Sequence, residues 1–140
     1  MDNKYRILSE FIKHLSTETI DIESYLYTKE NISKYKLYID INTKPLKNKM
    51  AEVSISTKFK NDDETQKSSY FEMIYATIVK IDDNVNTKEE LEPIFLKHVP
   101  SEVYPKIEKI FLDLLKYTGF PNVKLESKVD FEELFKKRNN

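Results

Sequence analysis

The chain has 140 residues and a formal net charge of −1, with 34% charged and 39% hydrophobic residues. Because phosphate binding usually requires a net basic face, this balance argues against nucleic acid as an obligatory partner. The 8 Phe and 9 Tyr residues are too many for a solvated, disordered chain. The sequence therefore predicts a folded protein, and its length favours a single domain over residues 1–140.

The composition also restricts the cellular compartment and the kinds of binding site that the chain can form. The absence of cysteine excludes disulfides and thiolate metal sites, and it fits a reducing cytosol. The amino terminus lacks the apolar run of a secretory signal, and no stretch approaches the roughly 18 apolar residues of a membrane span. With Gly119 as the single glycine, glycine-rich phosphate-binding loops are excluded. We expect a cytoplasmic protein that does not insert into membranes.

The first two thirds of the chain are dominated by strand patterns. Residues 4–12 are ambiguous, because Leu8, Phe11, Ile12 and Leu15 recur at the spacing of a helix. Alternating apolar and polar residues then predict strands over residues 34–43, 50–60 and 69–81. The last of these is apolar on both faces and must be covered on both sides. Consecutive strands without crossover helices predict an antiparallel meander.

The last third carries helix signals. A capping box at Thr87 and Glu90 predicts a helix over residues 88–98. A proline at position 100 and Gly119 bound the main helix, residues 101–118, and a third helix is expected over residues 130–137. The main helix has two adjacent apolar stripes, which together exceed the arc that packing on one sheet requires. The surplus predicts contact with another chain.

Several motifs resemble those of the SecB protein-export chaperone family. Residues 99–105, Val-Pro-Ser-Glu-Val-Tyr-Pro, resemble the family's entry to its long helix, and residues 118–121, Thr-Gly-Phe-Pro, resemble its exit. Residues 11–18 resemble the family's first strand, and residues 129–135 resemble its carboxyl-terminal ending. The order and spacing of these marks identify the chain as a divergent member of the family.

The resemblance implies an α+β fold with a four-stranded antiparallel sheet and two main helices on one face. It also implies a strand over residues 5–16 and a tetramer assembled as a dimer of dimers. The long helices of the family are buried between dimers. The oligomer-interface candidates in this chain are therefore Tyr104, Glu108, Leu112 and Leu115.

The implied function is that of an ATP-independent holdase, which binds unfolded polypeptides and delivers preproteins to the Sec translocase. Aromatic and methionine side chains suit such binding because they adapt to many sequences. The candidates for a client-binding groove are Tyr25, Tyr27, Tyr35, Tyr38, Phe71, Met73 and Tyr75. The simpler interpretation of each is a core residue, because apolar strand residues are normally buried.

The family also contacts the SecA motor through acidic residues on the outer surface of its sheet. The corresponding positions in this chain are His14, Glu18, Tyr70 and Glu72. Two of them depart from the family pattern, since His14 replaces an Asp and Tyr70 replaces a Leu. These departures favour a second hypothesis, a dedicated chaperone of a toxin–antitoxin system that binds an antitoxin segment. A third hypothesis is a structural assembly protein without a client.

An enzyme is not expected. His14 and His98 are the two histidines, and they lie in no catalytic or metal-binding motif. His98 is interpreted as a partner of a helix carboxyl terminus. The acids Asp62, Asp63 and Glu64 lack the glycine and final glutamate of a calcium loop, so they are interpreted as turn residues. No metal or other cofactor is predicted.

Overall fold

The computed structural model describes residues 4–63, 65–125 and 129–138. Its strands are β1 (Tyr5–Glu18), β2 (Lys36–Pro45), β3 (Met50–Lys60) and β4 (Tyr70–Ile81). Its helices are α1 (Ile22–Asn31), α2 (Lys88–Pro93), α3 (Val99–Tyr117) and α4 (Phe131–Arg138). A short 3₁₀ turn (Ile32–Lys34) precedes β2, and a π-helical segment (Ile94–His98) joins α2 to α3.

The four strands form one antiparallel sheet in the order β1-β4-β3-β2. The α+β class and the four-stranded antiparallel sheet are confirmed, but the expected meander is correct only for β2, β3 and β4. Because β1 and β2 lie at opposite edges, the chain between them must pass from one edge of the sheet to the other. It does so through α1, which makes this helix the crossover element of the fold.

The first strand is irregular. Its register with β4 shifts between Ile7 and Ser9 and again between Ile12 and His14, so β1 contains two bulges. Each bulge adds one residue and changes the phase of the side chains along the strand. The helix-like spacing of Leu8, Phe11, Ile12 and Leu15 has this origin, and the strand expected from the family resemblance is the structure that forms.

The sheet has one face covered by helices and one open face. The odd-numbered residues of β3 and β4 point to the covered face and are buried, whereas most even-numbered residues are half-exposed. The helix α3 contributes a buried row at helical spacing, Val103, Ile107, Phe111 and Leu115. The helices therefore pack on one face, where most of the hydrophobic core lies.

The helical region is more continuous than the sequence predicts. We expected separate helices over residues 88–98 and 101–118, because Pro100 cannot donate a hydrogen bond within a helix. Instead the chain is helical from Lys88 to Tyr117, and the wide turn of the π-helical segment connects its two parts. The backbone N–H of Val99 bonds to the carbonyl of Ile94, five residues earlier. Pro100 lies in the first turn of α3, where its missing N–H is least costly, and Pro105 lies inside the same helix.

The helix caps predicted at Thr87 and Asp130 are present in the structure. The hydroxyl of Thr87 accepts a hydrogen bond from the backbone N–H of Glu90 at 3.3 Å, which confirms the capping box. The side chain of Asp130 accepts one from the N–H of Glu133 at 3.1 Å and caps α4 in the same way. His98 lies inside the continuous helical region, so its assignment to a helix carboxyl terminus was wrong.

Candidate polypeptide-binding surfaces

The crossover helix α1 is anchored by polar side chains. Ser24 and Thr28, four residues apart on its inner face, are fully buried. The hydroxyl of Thr28 lies 3.2 Å from that of Tyr35 and accepts the backbone N–H of Ser69 at 2.8 Å. Tyr35 in turn donates its hydroxyl to the carbonyl of Ser69 at 2.5 Å. These bonds satisfy the buried hydroxyls and tie α1 to the segment just before β4.

The amino-terminal half of α1 contacts the end of α3. The side chain of Asp21 caps the helix by accepting the N–H of Ser24 at 2.8 Å, and these Ser24 hydrogen bonds hold the pKa of the Asp21 carboxyl below its usual value. One turn later, Tyr25 donates its hydroxyl to the carbonyl of Gly119 at 3.1 Å. Its ring lies 5.3 Å from that of Phe120. Gly119 has φ +111°, a backbone conformation that favours glycine.

The outer side of the crossover is apolar. Ile20 is 65% exposed, Ile22 63% and Leu26 51%, and the last two are four residues apart on one side of α1. Tyr117, in the last turn of α3, is 82% exposed. Because Tyr25 joins α1 to the residues that follow α3, these side chains lie at the same end of the molecule. We call Ile20, Ile22, Leu26 and Tyr117 the crossover surface.

The edge strand β1 is clamped to α3 by two polar contacts. Tyr5 donates its hydroxyl to Glu102 at 2.8 Å. Glu10 accepts from the hydroxyl of Tyr75 at 3.0 Å and from the ammonium of Lys106 at 2.9 Å. Burial, aided by the Glu10 hydrogen bond, raises the pKa of Tyr75 to about 12. Tyr5 contacts Glu102, and five residues later Glu10 contacts Lys106. The strand β1 and the helix α3 therefore run in the same direction.

The second half of β1 also exposes apolar side chains. On the covered face of the sheet, Ile12 is 42% and Leu15 47% exposed. They follow Glu10 along the strand toward the same end as the crossover surface. Half-buried apolar residues of α3, including Ile110 and Leu114, lie in the turns that follow Lys106. The second half of β1 and the crossover surface therefore both expose apolar side chains at this end of the molecule.

The predicted groove residues are divided by the structure. Phe71 and Met73 are fully buried, and Tyr35 and Tyr75 are 7% exposed, all four within the core. The expectation that these four line an open groove is therefore corrected for this conformation, because α1 and α3 cover that face of the strands. The remaining three are more accessible. Tyr25 and Tyr27 are half-buried on α1, and Tyr38 is 38% exposed on the open face of the sheet.

The predicted SecA-contact residues lie together on the open face. Glu18 pairs with Tyr70 across β1 and β4, and the neighbouring rows contain Glu72 and His14. The hydroxyl of Tyr70 donates to Glu72 at 2.6 Å, and burial raises the pKa of Tyr70 to about 12. The ring nitrogen Nε2 of His14 lies 3.2 Å from the hydroxyl oxygen of Ser16. The family resemblance implies an outer-surface position for these four residues, and the strand register puts them on one face.

Two of the four oligomer-interface candidates are covered within the chain. Leu115 is fully buried, and Tyr104 is 6% exposed, with its ring 5.4 Å from that of Phe131 on α4. The sequence could not show that α4 covers part of the second stripe, so these two candidates are corrected to core residues. Glu108 and Leu112 are half-buried and stay candidates for contact with another chain.

The described residues contain no cluster of three or more histidine and acidic side chains that could hold a metal ion. Nor is any helix among them long and apolar enough to cross a membrane. The two histidines occupy different regions, since His14 lies in the second half of β1 whereas His98 lines a cleft with Tyr5 at the start of that strand. Burial, with a contribution from Lys97, lowers the pKa of His98.

Comparison with known proteins decides the family. The model of the family described as preprotein translocase subunit SecB matches residues 1–140. The chain belongs to the SecB family. It is 46% identical over 140 residues to a putative protein-export protein SecB of Pelagibacter ubique, with both chains covered completely. It is 25% identical over 134 residues to the protein-export protein SecB of Bartonella bacilliformis, covering 96% of this chain and 82% of that one.

The fold is shared with a SecB-like chaperone of known structure. This is the Mycobacterium tuberculosis chaperone Rv1957 in complex with a ChAD peptide from the HigA1 antitoxin. The TM-score is 0.67 at 16% identity, with 89% of this chain and 91% of that chain covered. The predicted SecB-like fold is therefore confirmed. Family members are chaperones in protein export, and this agrees with the prediction of a protein that is not an enzyme.

Proposed function

We propose that the chain is an ATP-independent holdase of the cytoplasm that binds unfolded polypeptides and delivers preproteins to the Sec translocase. Family membership supports the export role. The observation that carries the holdase role is the crossover surface, in which Ile20, Ile22 and Leu26 are each more than half exposed. Exposed apolar patches of this kind mark surfaces that bind other polypeptides.

The structure of α1 supports this role physically. A helix of a soluble domain normally buries its apolar side and exposes its polar side. In α1 two apolar residues depart from this rule, because Ile22 and Leu26 are exposed while the polar Ser24 and Thr28 are fully buried beside the half-buried Tyr25. The buried hydroxyls keep the helix in place without consuming its apolar residues. Those residues remain available for an unfolded client, whose apolar side chains gain free energy by leaving water.

We also propose that the working form is a tetramer, assembled as a dimer of dimers. The strand β1 supports this, because one of its edges is unpaired within the described chain and it exposes Leu8 and Phe11 in addition to Ile12 and Leu15. The half-buried Leu112 of α3 is the remaining apolar candidate for the contact between dimers. A solution mass of four chains is the expected result.

A dedicated chaperone for an antitoxin is the second candidate function. The altered SecA-contact positions, His14 and Tyr70, favour it, and the related M. tuberculosis protein binds an antitoxin peptide. Contact with SecA is the corresponding prediction of the export role. Binding of purified SecA from the same source, measured by calorimetry, distinguishes the two roles. Binding that Glu18→Gln and Glu72→Gln weaken supports export, whereas no binding favours the dedicated role.

The holdase proposal is tested by light scattering. The purified chain, at one tetramer per client, should suppress aggregation of a chemically unfolded protein diluted from denaturant, with no nucleotide present. A matched amount of a folded, non-chaperone protein of similar charge is the control. Aggregation that proceeds at the same rate with both proteins contradicts both chaperone roles and leaves the structural assembly protein as the remaining hypothesis.

A further inference from the structure

The open face of the sheet is richer in basic than in acidic side chains. Strand register places six basic residues there, Arg6, Lys36, Lys44, Lys58, Lys60 and Lys80. A seventh, Lys13, reaches this face through its ion pair with Glu52 at 2.6 Å. The acidic residues on the same face are Glu18, Asp40, Glu52 and Glu72. The whole chain has a net charge of −1, so the positive charge is concentrated on this face. A surface of this kind attracts partners of opposite charge.

Two pairs of cations lie directly opposite each other on neighbouring strands. Arg6 pairs with Lys80 across β1 and β4, and Lys36 pairs with Lys60 across β2 and β3. Like charges at directly opposed positions destabilise a sheet. Neither Arg6 nor Lys80 forms an ion pair among the described residues, although the Lys80 ammonium donates to the Asn48 carbonyl and Asp82 and Asp83 line the same cleft. An anionic partner would remove the repulsion at this corner.

The second pair is partly compensated within the chain. Lys36 lies 3.4 Å from Asp62, with both side chains largely exposed, and the Tyr38 hydroxyl also donates to Asp62 at 2.5 Å. This hydrogen bond from Tyr38, more than the nearby lysines, lowers the pKa of the Asp62 carboxyl. Lys60 lies 5.3 Å from the centre of the Tyr38 ring. Solvent-exposed contacts of this kind contribute little, so Lys60 keeps most of its attraction for an external carboxylate.

An apolar patch lies between the two cation pairs. Phe11 is 44% exposed and pairs directly with Ala76, which is fully buried although its side chain belongs to the open face. Ile74 and Ile78, the next residues of that face on β4, are half-buried and diagonal to Phe11. Diagonal neighbours on a sheet are close enough for contact with an aromatic ring. An apolar centre with a charged periphery is the usual anatomy of a protein interface.

We propose that the open face docks an acidic polypeptide segment in an extended conformation, distinct from the clients of the crossover surface. The rows of Lys80 and Lys60 are ten residues apart along the strands, or about 34 Å at the usual rise. A segment of about ten to twelve residues therefore spans both cation pairs. Its carboxylates meet Arg6 and Lys80 at one end and Lys36 and Lys60 at the other, with apolar residues over Phe11.

The acids on the same face select a polypeptide over other polyanions. Glu72 lies opposite Lys58, and Glu18 and Asp40 are exposed nearby. A nucleic acid or an anionic membrane presents a continuous array of phosphates, which would be repelled by these carboxylates. A peptide can carry its acidic residues at both ends and apolar residues in between. The mixed face therefore favours a segment with separated acidic ends.

The test uses the full chain and a fluorescein-labelled peptide of twelve residues, with two glutamates at each end and alternating Leu and Ser between them. Fluorescence anisotropy at low salt should give micromolar binding that weakens at least fivefold at about 0.3 M salt. The variants Arg6→Gln/Lys80→Gln, Lys36→Gln/Lys60→Gln and Phe11→Ser should each weaken it at least fivefold. Relief of the repulsion between Arg6 and Lys80 should at the same time keep the melting temperature of Arg6→Gln/Lys80→Gln at or above that of the unmodified chain.

The control variants distinguish this surface from the rest of the molecule. Lys88→Gln/Lys109→Gln removes the same charge from the helices and should change binding less than twofold. Ile22→Ser/Leu26→Ser removes the crossover surface and should leave the acidic peptide bound. The proposal is overturned if the helix control weakens binding equally, if the face variants leave it unchanged, or if no binding is seen at 100 μM protein. Stronger competition by single-stranded DNA or by anionic vesicles also overturns it.

Discussion

Replacing the outward apolar residues of α1 should remove client binding without unfolding the protein. Ile22 and Leu26 each keep more than half of their surface exposed in the free chain. Full burial of such a side chain contributes about 1.5–3 kcal/mol, so covering the exposed remainder contributes about 1–1.5 kcal/mol for each. The double variant Ile22→Ser/Leu26→Ser should therefore lose about 2–3 kcal/mol of binding free energy, a roughly 30- to 150-fold weaker Kd.

The assay is anisotropy of a labelled, permanently unfolded client, with light scattering as a second measurement. A matched control replaces two charged residues of the same helix, Glu23→Ser/Lys29→Ser, and should retain the original Kd. The midpoint of urea unfolding checks stability, which should change by less than about 1 kcal/mol for substitutions at exposed positions. An unchanged Kd in the apolar variant, with the fold intact, would show that the crossover surface is not where clients bind.

Four further outcomes follow from the structure. Gly119→Ala should destabilise the chain by about 2–4 kcal/mol, because φ is +111° and the added Cβ would lie 2.8 Å from the Tyr25 ring; chemical unfolding measures this. Thr57→Val should stabilise it by about 1–2 kcal/mol, since that buried hydroxyl finds no partner among the described residues; a lower unfolding midpoint would contradict this. Leu112→Asp should convert tetramers to dimers in light scattering, and an unchanged mass would remove Leu112 from the interface. Stability should fall as pH rises from 10 to 12, because folding raises the pKa of Tyr75 and Tyr104 from 10.0 to about 12. Chemical unfolding curves across this pH range measure the fall, which should be smaller in Tyr104→Phe.

The sign of the pH effect follows from proton binding. Between pH 10 and 12 the two tyrosines keep their protons in the folded chain but lose them in the unfolded chain. The unfolded state then binds fewer protons, so a rise in pH favours it. Below pH 10 both states are protonated and the contribution of these residues is complete. Burial is the larger cause of both shifts, which is why the phenolate form is disfavoured in the fold.

Strands with regular alternation were predictable from the sequence. The boundaries of β3 agree with the prediction, and those of β2 and β4 differ by one or two residues. The first strand was ambiguous from its pattern because its two bulges interrupt the period of two, and it is apolar on both faces. Local pattern cannot reveal a bulge, whose position depends on the register with β4. The family resemblance supplied the assignment that periodicity could not.

The crossover helix was missed for a different physical reason. A helix is recognised in a sequence by apolar residues that face the core. In α1 the fully buried residues are Ser24 and Thr28. The Ser24 hydroxyl donates to Asp21, three residues earlier, and the Thr28 hydroxyl bonds to Tyr35 and to the N–H of Ser69. The visible signal in the sequence was Asp21 as a helix cap. The same reversal hid the site, since the exposed Ile22 and Leu26 resemble ordinary core residues in the sequence.

The candidate groove residues show that side-chain type alone does not predict which residues are exposed. Aromatic residues were chosen because they suit promiscuous binding, yet Tyr35, Phe71 and Tyr75 pack inside the chain. Residue type gives no information on which side of a two-sided apolar strand is covered. The SecA-contact candidates were placed on the outer surface by the family resemblance, and the register of β1 with β4 puts their side chains on the open face.

The reversed polarity of α1 links stability to function. A buried hydroxyl with satisfied hydrogen bonds contributes little more than an apolar residue of the same shape, so Ser24 and Thr28 offer no advantage over a conventional apolar inner face. A helix with apolar residues at positions 24 and 28 and polar residues at positions 22 and 26 would be a more ordinary amphipathic helix. It would also expose less apolar surface that promotes aggregation. Natural sequences depart from such local rules mainly at functional sites. The departure at Ile22 and Leu26 therefore supports our proposal that clients bind at the crossover surface and not at the buried aromatic strands.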